Sequence, residues 1–583
     1  MNSSALGKIW LQRELDERKV YRYVNDYGIS DFVARILIAR GVAENDVDNF
    51  VNPRIKSFLP DPFHLVDMER ACDRVAKAIL FGENITIFGD YDVDGATSSA
   101  LIARLLGQLG ASASIYIPDR LTEGYGPSIE SFLKIKNSGS SLVITVDCGI
   151  SAFEALEGAK LMGLDVIVLD HHVGSEIMPE AFAIVNPNRF DETSSYNYLA
   201  AVGVSFLFAV GLIKILRQKN FFASYPEPDL LKFLDLVALG TVCDMMPLIG
   251  LNRAFVAQGL KVMSSGSNLG LKILSEYGKI DEKFSSYHLG FVLGPRINAG
   301  GRVGKSYLGA RLLATSNEEV ARKYAIELEQ YNEERKKIEN MVTEDAYEQA
   351  ETQKDNNYIL VANENWHQGV IGIVAGKLKD KYQKPVIAIS LDGEAGRASC
   401  RSVKGIDLGQ KIVTAKSLGI LLSGGGHAMA AGFSIEKDKI PRFREFLDEN
   451  LKNDFLHGDP NLRYFDAHLT PGAVSLNYAK EIAKLEPYGN GNNEPIVKID
   501  GLYVLRANIS NDKHISCLFA PQKEAFGSKA IKAIAFNSLS SPISDILLSM
   551  KPHRISAIGH LKVNNWQGNA GVQVTLSDLI VER

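Results

Sequence analysis

Residues 85–99 read ITIFGDYDVDGATSS, an apolar β-rich run that leads directly into a cluster of acidic residues. The acids of this stretch are Asp90, Asp92 and Asp94. Further along, apolar runs alternate with helical patterns, and two of them, LVITVDCG and DVIVLDHH, contain Asp147 and Asp170 at their ends. Continuous apolar strands separated by helices predict a parallel sheet covered on both faces. Since ligands bind beyond the carboxyl ends of such strands, we expect these acids to converge.

The DYDVDG spacing is also typical of the start of a calcium-binding loop. Such a loop needs a bidentate glutamate at its twelfth position. Counted from Asp90, that position is Leu101, which disfavours the calcium interpretation. A solvated acidic turn stays open for this motif taken alone.

Further polar groups follow other apolar runs and widen the set of candidate metal ligands. They are Asp147, the histidine doublet His171 and His172, and Asp244 in LVALGTVCDMMPL. Oxygen and imidazole ligands suit Mn²⁺ or Mg²⁺, whereas a closed structural zinc site favours cysteine. A pair of such cations can bind a phosphate oxygen and activate water. The set therefore predicts a metal-dependent phosphoesterase.

The fold class that we predict is α/β, with a parallel-sheet catalytic domain, a long connecting helix, a second α/β domain and a C-terminal β-barrel or sandwich. The expected boundaries are an N-terminal helical segment at 1–60, the catalytic domain at 61–315, the connecting helix at 316–352, the second domain at 353–465 and the β-rich domain at 466–583. The glycine-dense run SGGGHAMAAGFS closes the second α/β pattern, and we expect its GGGH loop to precede a helix.

Composition is that of a globular protein, with 46% hydrophobic and 23% charged residues among 583. The formal net charge of -5 argues against a protein that coats polyanions over its whole surface, but a local basic groove stays compatible with it. Five scattered cysteines without CxxC spacing indicate reduced thiols and a cytoplasmic location. The apolar stretch Tyr198 to Ile213 is short for a membrane span, so we expect a buried core helix and no membrane.

Five motifs carry a family resemblance. DYDVDG (90–95), VDCG (146–149), DHH (170–172) and GTVCDMMPL (240–248) resemble the motifs of the DHH phosphoesterase superfamily, and GGGHAMAAG (424–432) resembles the glycine-rich motif of its DHHA1 domain. Their order, the chain length and LEPYGNGNNEP (485–495) before the β-rich tail are similar to the single-strand-specific 5′-to-3′ DNA exonucleases of that superfamily. The similarity spans nearly the whole chain.

This resemblance implies two divalent metal ions, Mn²⁺ or Mg²⁺. The implied metal ligands are Asp90, Asp92, Asp94, Asp147, His171 and Asp244, with Asp147 as the bridge and Asp90 as a ligand or a group that orients one. The implied catalytic residues are Asp92, Asp94, Asp147, His171 and His172. His172 would contact the scissile phosphate or assist the developing oxyanion.

Arginines and glycine-rich turns are candidates for binding the DNA phosphates. The substrate-binding set that we predict is Arg120, Arg296, Arg302, Ser399, Arg401, Gly425, Gly426 and His427. By resemblance, Ser399, Arg401 and Arg296 form a pocket for the 5′-phosphate. The C-terminal domain resembles an oligonucleotide-binding (OB) barrel, in which Tyr503, Arg506, Lys562 and Trp566 are candidate contacts.

The resulting functional expectation is hydrolysis of single-stranded DNA from the 5′ end, in DNA repair and recombination. Expected partners are single-stranded DNA, a single-strand-binding protein and a recombination helicase, and we expect a monomer. One alternative is a DHH phosphodiesterase that acts on short oligonucleotides or cyclic dinucleotides, although shorter members without the β-rich tail fit that role better. Another is a catalytically silent DNA-binding scaffold, which the presence of every metal-motif acid disfavours.

Overall fold

The computed structural model describes residues 3–120, 122–451, 462–522, 530–549, 553–566 and 569–582, without the side chains of 565, 566 and 569. The helices are α1 (Glu17–Tyr27), α2 (Asp31–Ala39), α3 (Val47–Val51), α4 (Ile55–Phe58), α5 (Met68–Phe81), α6 (Val93–Gln108), α7 (Ile129–Asn137), α8 (Phe153–Leu161), α9 (Ala201–Gln218), α10 (Leu234–Cys243), α11 (Gly250–Ser264), α12 (Leu269–Tyr277), α13 (Gly294–Val303), α14 (Leu308–Ala314), α15 (Glu318–Glu351), α16 (Ile371–Tyr382), α17 (Leu408–Ser417), α18 (Ile440–Asn450), α19 (Leu476–Ala483) and α20 (Pro542–Leu547). The strands are β1 (Ile9–Gln12), β2 (Ile85–Gly89), β3 (Ala113–Tyr116), β4 (Leu142–Val146), β5 (Asp165–Leu169), β6 (Ala183–Val185), β7 (Ile359–Asn363), β8 (Val386–Asp392), β9 (Ala395–Arg401), β10 (Ser423–His427), β11 (Ala430–Glu436), β12 (Leu462–Phe465), β13 (Ala467–Leu469), β14 (Val497–Ser510), β15 (His514–Ala520), β16 (Ile531–Ala535), β17 (Arg554–Trp566) and β18 (Asn569–Val581).

The chain divides into two compact units. The larger unit contains Asp61–Asp244 and Gly259–Gly458, and the smaller unit contains Met1–Pro60, Met245–Gln258 and Asp459–Arg583. Each unit has its own sheets and core, so each is described by itself.

The predicted parallel sheet lies in the larger unit and has the strand order β3-β2-β4-β5-β6. All four pairings are parallel. Strands β2 and β4 are buried along their whole length, as expected for apolar strands covered on both faces. The three-residue strand β6 at the edge was not anticipated from the sequence.

Helix α9 is long and apolar enough to cross a membrane by length and composition alone. In the structure, however, 78% of it is buried inside the protein. It packs against α5, α6 and α10. The helix is therefore part of the core of the larger unit, as the sequence predicts.

A second sheet in the larger unit has the order β10-β11-β9-β8-β7. Its β7–β8 pairing is parallel and the others are antiparallel. The predicted connecting helix is α15, which runs from Glu318 to Glu351. The prediction of a helix after the GGGH loop is wrong, because SGGGH and AAGFSIE pair as the antiparallel hairpin β10–β11.

The smaller unit is built on a barrel. Strands β14-β15-β16-β18-β17 follow one another, and the β14–β17 pairing closes the ring. The core of this barrel includes Phe519 and Leu579 but also Tyr23, Phe32 and Leu37 of the N-terminal helices. Residues 1–60, predicted as a separate helical segment, therefore share a hydrophobic core with the barrel.

Arg253 is the largest fully buried side chain of the smaller unit, with 1% of its surface exposed. Its guanidinium donates hydrogen bonds of 2.8–3.2 Å to the backbone carbonyls of Phe50, Leu485, Glu486 and Pro487. The carbonyls belong to two segments far apart in sequence. One cation therefore holds the N-terminal segment and the loop before β14 together.

We predict that Arg253→Ala destabilises the smaller unit by about 3–5 kcal/mol, because it removes the hydrogen bonds that a buried cation donates to four backbone carbonyls. Chemical denaturation followed by circular dichroism measures this loss. The control is Arg22→Ala, which removes an exposed ion pair to Glu44 at 3.3 Å and should cost less than about 1 kcal/mol. Equal unfolding midpoints for the two variants would contradict this role of Arg253.

Candidate functional site

The acids expected at the sheet edge do meet there. Asp90, Asp147 and Asp170 directly follow the adjacent parallel strands β2, β4 and β5. Asp147 has a backbone φ of 61°, in the left-handed region that few residues other than glycine adopt. Backbone conformations of this kind are concentrated at functional sites, where the surrounding structure enforces them.

The start of α6 places the second and third acids of DYDVDG. Asp92 is the N-cap of the helix, and its carboxylate accepts hydrogen bonds from the backbone N–H groups of Asp94 (2.9 Å) and Gly95 (3.1 Å). Gly95 is required because a Cβ there would lie 2.4 Å from the backbone oxygen of Asp90. The motif thus brings the first turn of α6 against the end of β2.

Asp94 is held from another direction. Its two carboxylate oxygens accept hydrogen bonds from the backbone N–H groups of Ala201 (2.7 Å) and Val202 (2.9 Å) at the start of α9. Helix α10 approaches closely at Gly240, where a Cβ would lie 2.9 Å from Asp94 Oδ1. The same helix ends at Cys243, and Asp244 follows it as the C-cap.

His171 lies at the centre of the acids. Its Nε2 is 3.2 Å from Asp147 Oδ1, 3.6 Å from Asp244 Oδ2 and 3.8 Å from Asp94 Oδ2. Among the residues that the structure describes, three groups have ligand atoms that all lie within 4.8 Å of one another: Asp147 with His171 and His172, Asp94 with His171 and Asp244, and Asp90 with Asp92 and Asp147. Asp147 and His171 are each shared by two of these groups.

Burial and mutual repulsion disfavour the charged forms of these acids. Desolvation, followed by the charge of Asp92, raises the pKa of Asp94 to about 7. Desolvation, followed by the charge of Asp94, raises the pKa of Asp244 to about 9. The pKa values of Asp90 and Asp147 are also raised, mainly by burial. So many carboxylates can be ionised together only if cations neutralise them.

The side chains fit divalent cations. Asp90 Oδ1 and Asp244 Oδ2 are buried and accept no hydrogen bond from the described part of the chain. Burial, together with the neighbouring His172, lowers the pKa of His171 to about 4, which keeps its imidazole neutral as a metal ligand must be. Carboxylate oxygens with one imidazole match the preferences of Mn²⁺ and Mg²⁺.

Asp170 positions the histidine doublet. Its carboxylate accepts hydrogen bonds from the backbone N–H groups of Ile150 (3.0 Å), His171 (2.7 Å) and His172 (3.1 Å), and lies 2.8 Å from His172 Nδ1. Burial would raise the pKa of Asp170, but the hydrogen bond and charge of His172 lower it to about 2. Burial would lower the pKa of His172, but Asp170 raises it to about 9. His172 therefore faces the acids as an imidazolium.

A cleft of about 660 Å³ in the larger unit contains this site. Its lining from the first sheet and nearby helices includes Asp90, Tyr91, Asp92, Arg120, Tyr125, Asp147, His172, Asp244, Asn298 and Arg302. Its lining from the second sheet, α16 and the loop before α16 includes Gln368, Ile371, Gly372, Arg397, Ser399 and Arg401. The cleft thus joins an acidic region to an arginine-rich one.

Several guanidinium groups lie close together in the arginine-rich region of the cleft. Burial, together with the nearby charges of Arg120, Arg335 and Arg401, lowers the pKa of Arg302 to about 10. Arg302 donates to the carbonyl of Gly369 (2.9 Å), and Arg401 donates to Ser399 Oγ (3.3 Å). An anion placed here would relieve the repulsion between the guanidinium groups.

The N-terminus of α16 also lines the cleft, through Ile371 and Gly372. A Cβ at Gly372 would lie 3.0 Å from Ser399 Oγ and 3.2 Å from Arg401 Nη2, so the glycine lets this helix approach both side chains. Helix N-termini attract anions. The helix terminus expected after the GGGH loop is therefore supplied by α16 instead.

Several predicted substrate contacts lie elsewhere or are only adjacent. Arg296 is not among the lining residues, since Glu329 binds its guanidinium at 2.6 and 3.2 Å. Gly425, Gly426 and His427 belong to β10, whose hairpin lines the cleft through Ser423, Gly432, Phe433 and Ser434 instead. Arg120, Arg302, Ser399 and Arg401 do line it. Trp566 has its side chain outside the described residues.

Sequence reasoning missed Tyr125 and the positioning role of Asp170. The Tyr125 hydroxyl lies 3.5 Å from His172 Nε2 and 3.5 Å from the Asp147 carbonyl. Arg120, in the same loop, lies over the Tyr91 ring at 5.0 Å. The segment PDRLTEGYG contains both Arg120 and Tyr125. The closeness of this tyrosine to a predicted substrate-binding arginine could have identified it as a site residue.

Family models match three regions of the chain. The DHH family N-terminal domain matches residues 84–241, the DHHA1 domain matches 355–453, and the RecJ OB domain matches 465–578. These regions contain the first sheet, the second sheet and most of the barrel, respectively.

Similar proteins extend this match over most of the chain. The single-stranded-DNA-specific exonuclease RecJ of Bacillus subtilis is 33% identical over 98% of this chain and 71% of its own length. The exonuclease of the same name in Escherichia coli is 34% identical over 90% of this chain and 92% of its own. The crystal structure of RecJ from Thermus thermophilus in complex with Mn²⁺ is 26% identical and has a TM-score of 0.81, covering 98% of this chain and 79% of that one. A complex of the same protein with Mg²⁺ has a TM-score of 0.75.

We predict that Asp170→Asn lowers the pKa of His172 from about 9 towards 6.5, because it removes the charge that stabilises the imidazolium. Histidine NMR titration of the metal-free protein, assigned with His172→Gln, measures the change. An unchanged His172 pKa would contradict the pairing.

The same pair should also make stability depend on pH. The depressed pKa of Asp170 contributes stability above its ordinary value of 3.8, which is lost as the pH falls towards 2. The raised pKa of His172 contributes stability below its ordinary value of 6.5, which is lost as the pH rises through 9. The difference in unfolding free energy between the native protein and Asp170→Asn should therefore be largest between about pH 4 and 6.5.

Proposed function

Because the chain belongs to the RecJ family of single-stranded-DNA-specific exonucleases, we propose that it hydrolyses phosphodiester bonds of single-stranded DNA from the 5′ end. The proposal includes two divalent cations, Mn²⁺ or Mg²⁺, held by the acids at the edge of the first sheet. The observation that carries it is one cleft that contains both these acids and a group of arginines. The described lining residues around the arginines include no carboxylate that would pair with them.

We assign the two regions of the cleft to two phosphates of one strand. Asp90, Asp92, Asp94, Asp147, His171 and Asp244 would hold the cations. When bound, the cations would activate a water molecule and stabilise charge on the scissile phosphate. The arginines and the α16 N-terminus would bind the terminal phosphate, which fixes the distance from the strand end to the cut.

The chain's own groups would assist at defined atoms. Asp147 is shared between the ligand groups and is fixed by its left-handed backbone, so it is the proposed bridge. His172 is an imidazolium that Asp170 orients, and its Nε2 can donate a hydrogen bond to a phosphate oxygen. The neutral Tyr125 hydroxyl beside Nε2 can donate in the same direction.

The wider role follows from family resemblance and composition. We place the enzyme in the cytoplasm, acting as a monomer in DNA repair and recombination beside a single-strand-binding protein and a recombination helicase. The OB barrel supports a long strand as substrate over a dinucleotide, since such barrels bind extended single strands.

We predict that Asp147→Asn reduces cleavage of 5′-phosphorylated single-stranded DNA by more than about a hundredfold, because the loss of a direct ligand should exceed the effect of losing an outer-shell partner. Asparagine tolerates the left-handed backbone, so the fold should persist. Release of labelled nucleotides with Mn²⁺ measures the rate. Asp191→Asn, at an exposed carboxylate that pairs with Arg189, is the control that should retain activity. Full activity of the Asp147 variant would refute the assignment.

We expect the native protein to prefer 5′-phosphorylated over 5′-hydroxyl strands, and we predict that Arg401→Ala reduces this preference about tenfold. The reason is that a charge-assisted hydrogen bond to the phosphate contributes about 1.5–3 kcal/mol. Steady-state KM values for the two strands measure the preference. Arg296→Ala is the matched comparison, because its ion pair with Glu329 is structural. It should lower the melting temperature and leave the preference intact. The proposed pocket would be overturned if Arg296→Ala lost the preference for the 5′-phosphate while Arg401→Ala kept it.

A further inference from the structure

One carboxylate of the connecting helix has no role in the site described so far. Asp345 lies in the last two turns of α15, outside the lining of the cleft. Its Oδ2 accepts hydrogen bonds from Asn363 Nδ2 (2.6 Å) and Trp366 Nε1 (2.7 Å), and its Oδ1 accepts one from Gln349 Nε2 (3.2 Å). Trp366 belongs to residues 364–370, which connect β7 to α16 and which we call the Trp366 loop. Asp345 therefore binds both the end of β7 and the loop that follows it.

The indole of Trp366 fixes the position of this loop. Its side chain is 5% exposed and belongs to a hydrophobic core that includes Val342 and Ala346 of α15. The backbone carbonyl of Trp366 accepts a hydrogen bond from Ser390 Oγ at 2.5 Å. A buried indole N–H requires an acceptor, and Asp345 supplies it. The loop is thus held on α15 by the packing of the ring together with this acceptor.

The Trp366 loop reaches the cleft through Gln368 and Gly369, which line it. The Gly369 carbonyl accepts a hydrogen bond from Arg302 Nη1 at 2.9 Å. In the same way, Gln368 Oε1 accepts one from Arg397 Nη1 at 3.0 Å. A Cβ at Gly369 would lie 2.3 Å from the backbone oxygen of Arg302, so the loop and α13 are in close contact. The positions of two cleft arginines and of the α16 N-terminus therefore depend on this loop.

We propose that Asp345 is a positioning residue for the terminal phosphate of the strand. This inference rests on the proposed function. Asp345 holds the indole of Trp366, and the indole holds the loop. The loop in turn holds Arg302, Arg397 and the N-terminus of α16 at the phosphate. Without the carboxylate, the buried indole N–H has no acceptor, and the loop moves to regain one. A displacement of about 1 Å in such a positioned group costs up to about a hundredfold in function.

The test compares Asp345→Ala with the native protein on 5′-phosphorylated and 5′-hydroxyl single strands in Mn²⁺. The KM for the phosphorylated strand should rise about tenfold, whereas the KM for the hydroxyl strand and both kcat values should be unchanged. The matched control is Gln353→Ala, on the same helix. Gln353 exchanges hydrogen bonds of 3.0 and 3.1 Å with the backbone of Leu360 in β7, away from the Trp366 loop. Its loss should lower the melting temperature and leave the preference for the phosphorylated strand intact.

Two further variants separate the hydrogen bond from general stability. Asp345→Asn keeps one oxygen for both Asn363 and Trp366 and should retain the native preference. Trp366→Phe keeps a ring in the core, removes the N–H donor and should reduce the preference at least about threefold.

Fluorescence anisotropy of both labelled strands with a chelator gives Kd values that do not require cleavage. A native preference in Asp345→Ala, or in Trp366→Phe where the alanine variant does not fold, overturns the inference. A native protein without preference in KM and Kd refutes the proposed phosphate pocket and the inference with it. A native protein that binds with preference but cleaves neither strand refutes only the proposed hydrolysis, and the Kd values of the variants still decide the inference.

Discussion

The electrostatic repulsion among carboxylates at one sheet edge is the constraint on which the rest of the site depends. Three parallel neighbouring strands end in acids, and helices α6 and α10 add further carboxylates at the same place. Burial removes the water that would otherwise screen these charges. The ionised acids therefore need bound cations for stabilisation. The backbone N–H groups at the starts of α6 and α9 stabilise only the carboxylates of Asp92 and Asp94.

Arginines from α13 and the second sheet provide the opposite charge across the same cleft. Arg302 and Arg401 are partly desolvated and lie near further guanidinium groups, so they favour a bound anion. The acids, which need cations, and the arginines, which favour an anion, line the same cleft. A metal-bound phosphodiester with a terminal phosphate would satisfy both requirements, and the two regions lie in the parts of the chain that match the DHH and DHHA1 domains.

The sequence predicts the sheet and its acids well because those features are local. An apolar run followed by an aspartate marks a strand end, and parallel strands bring such ends together. Arg296 could not be resolved from sequence, because its partner Glu329 lies 33 residues away on another helix. The GGGH run resembles a helix entry, yet glycine carries little local information and pairing with β11 decided its structure. The shared core of residues 1–60 and the barrel likewise depends on contacts distant in sequence.

The central claim is that acids from separate strands hold two cations with Asp147 between them. Anomalous diffraction from crystals soaked in Mn²⁺ tests this claim most directly. We expect two peaks in the cleft, one near Asp90 and Asp92 and one near His171 and Asp244, with Asp147 contacting both. Absence of Mn²⁺ from this edge of the sheet, with the carboxylates directed apart, would contradict it.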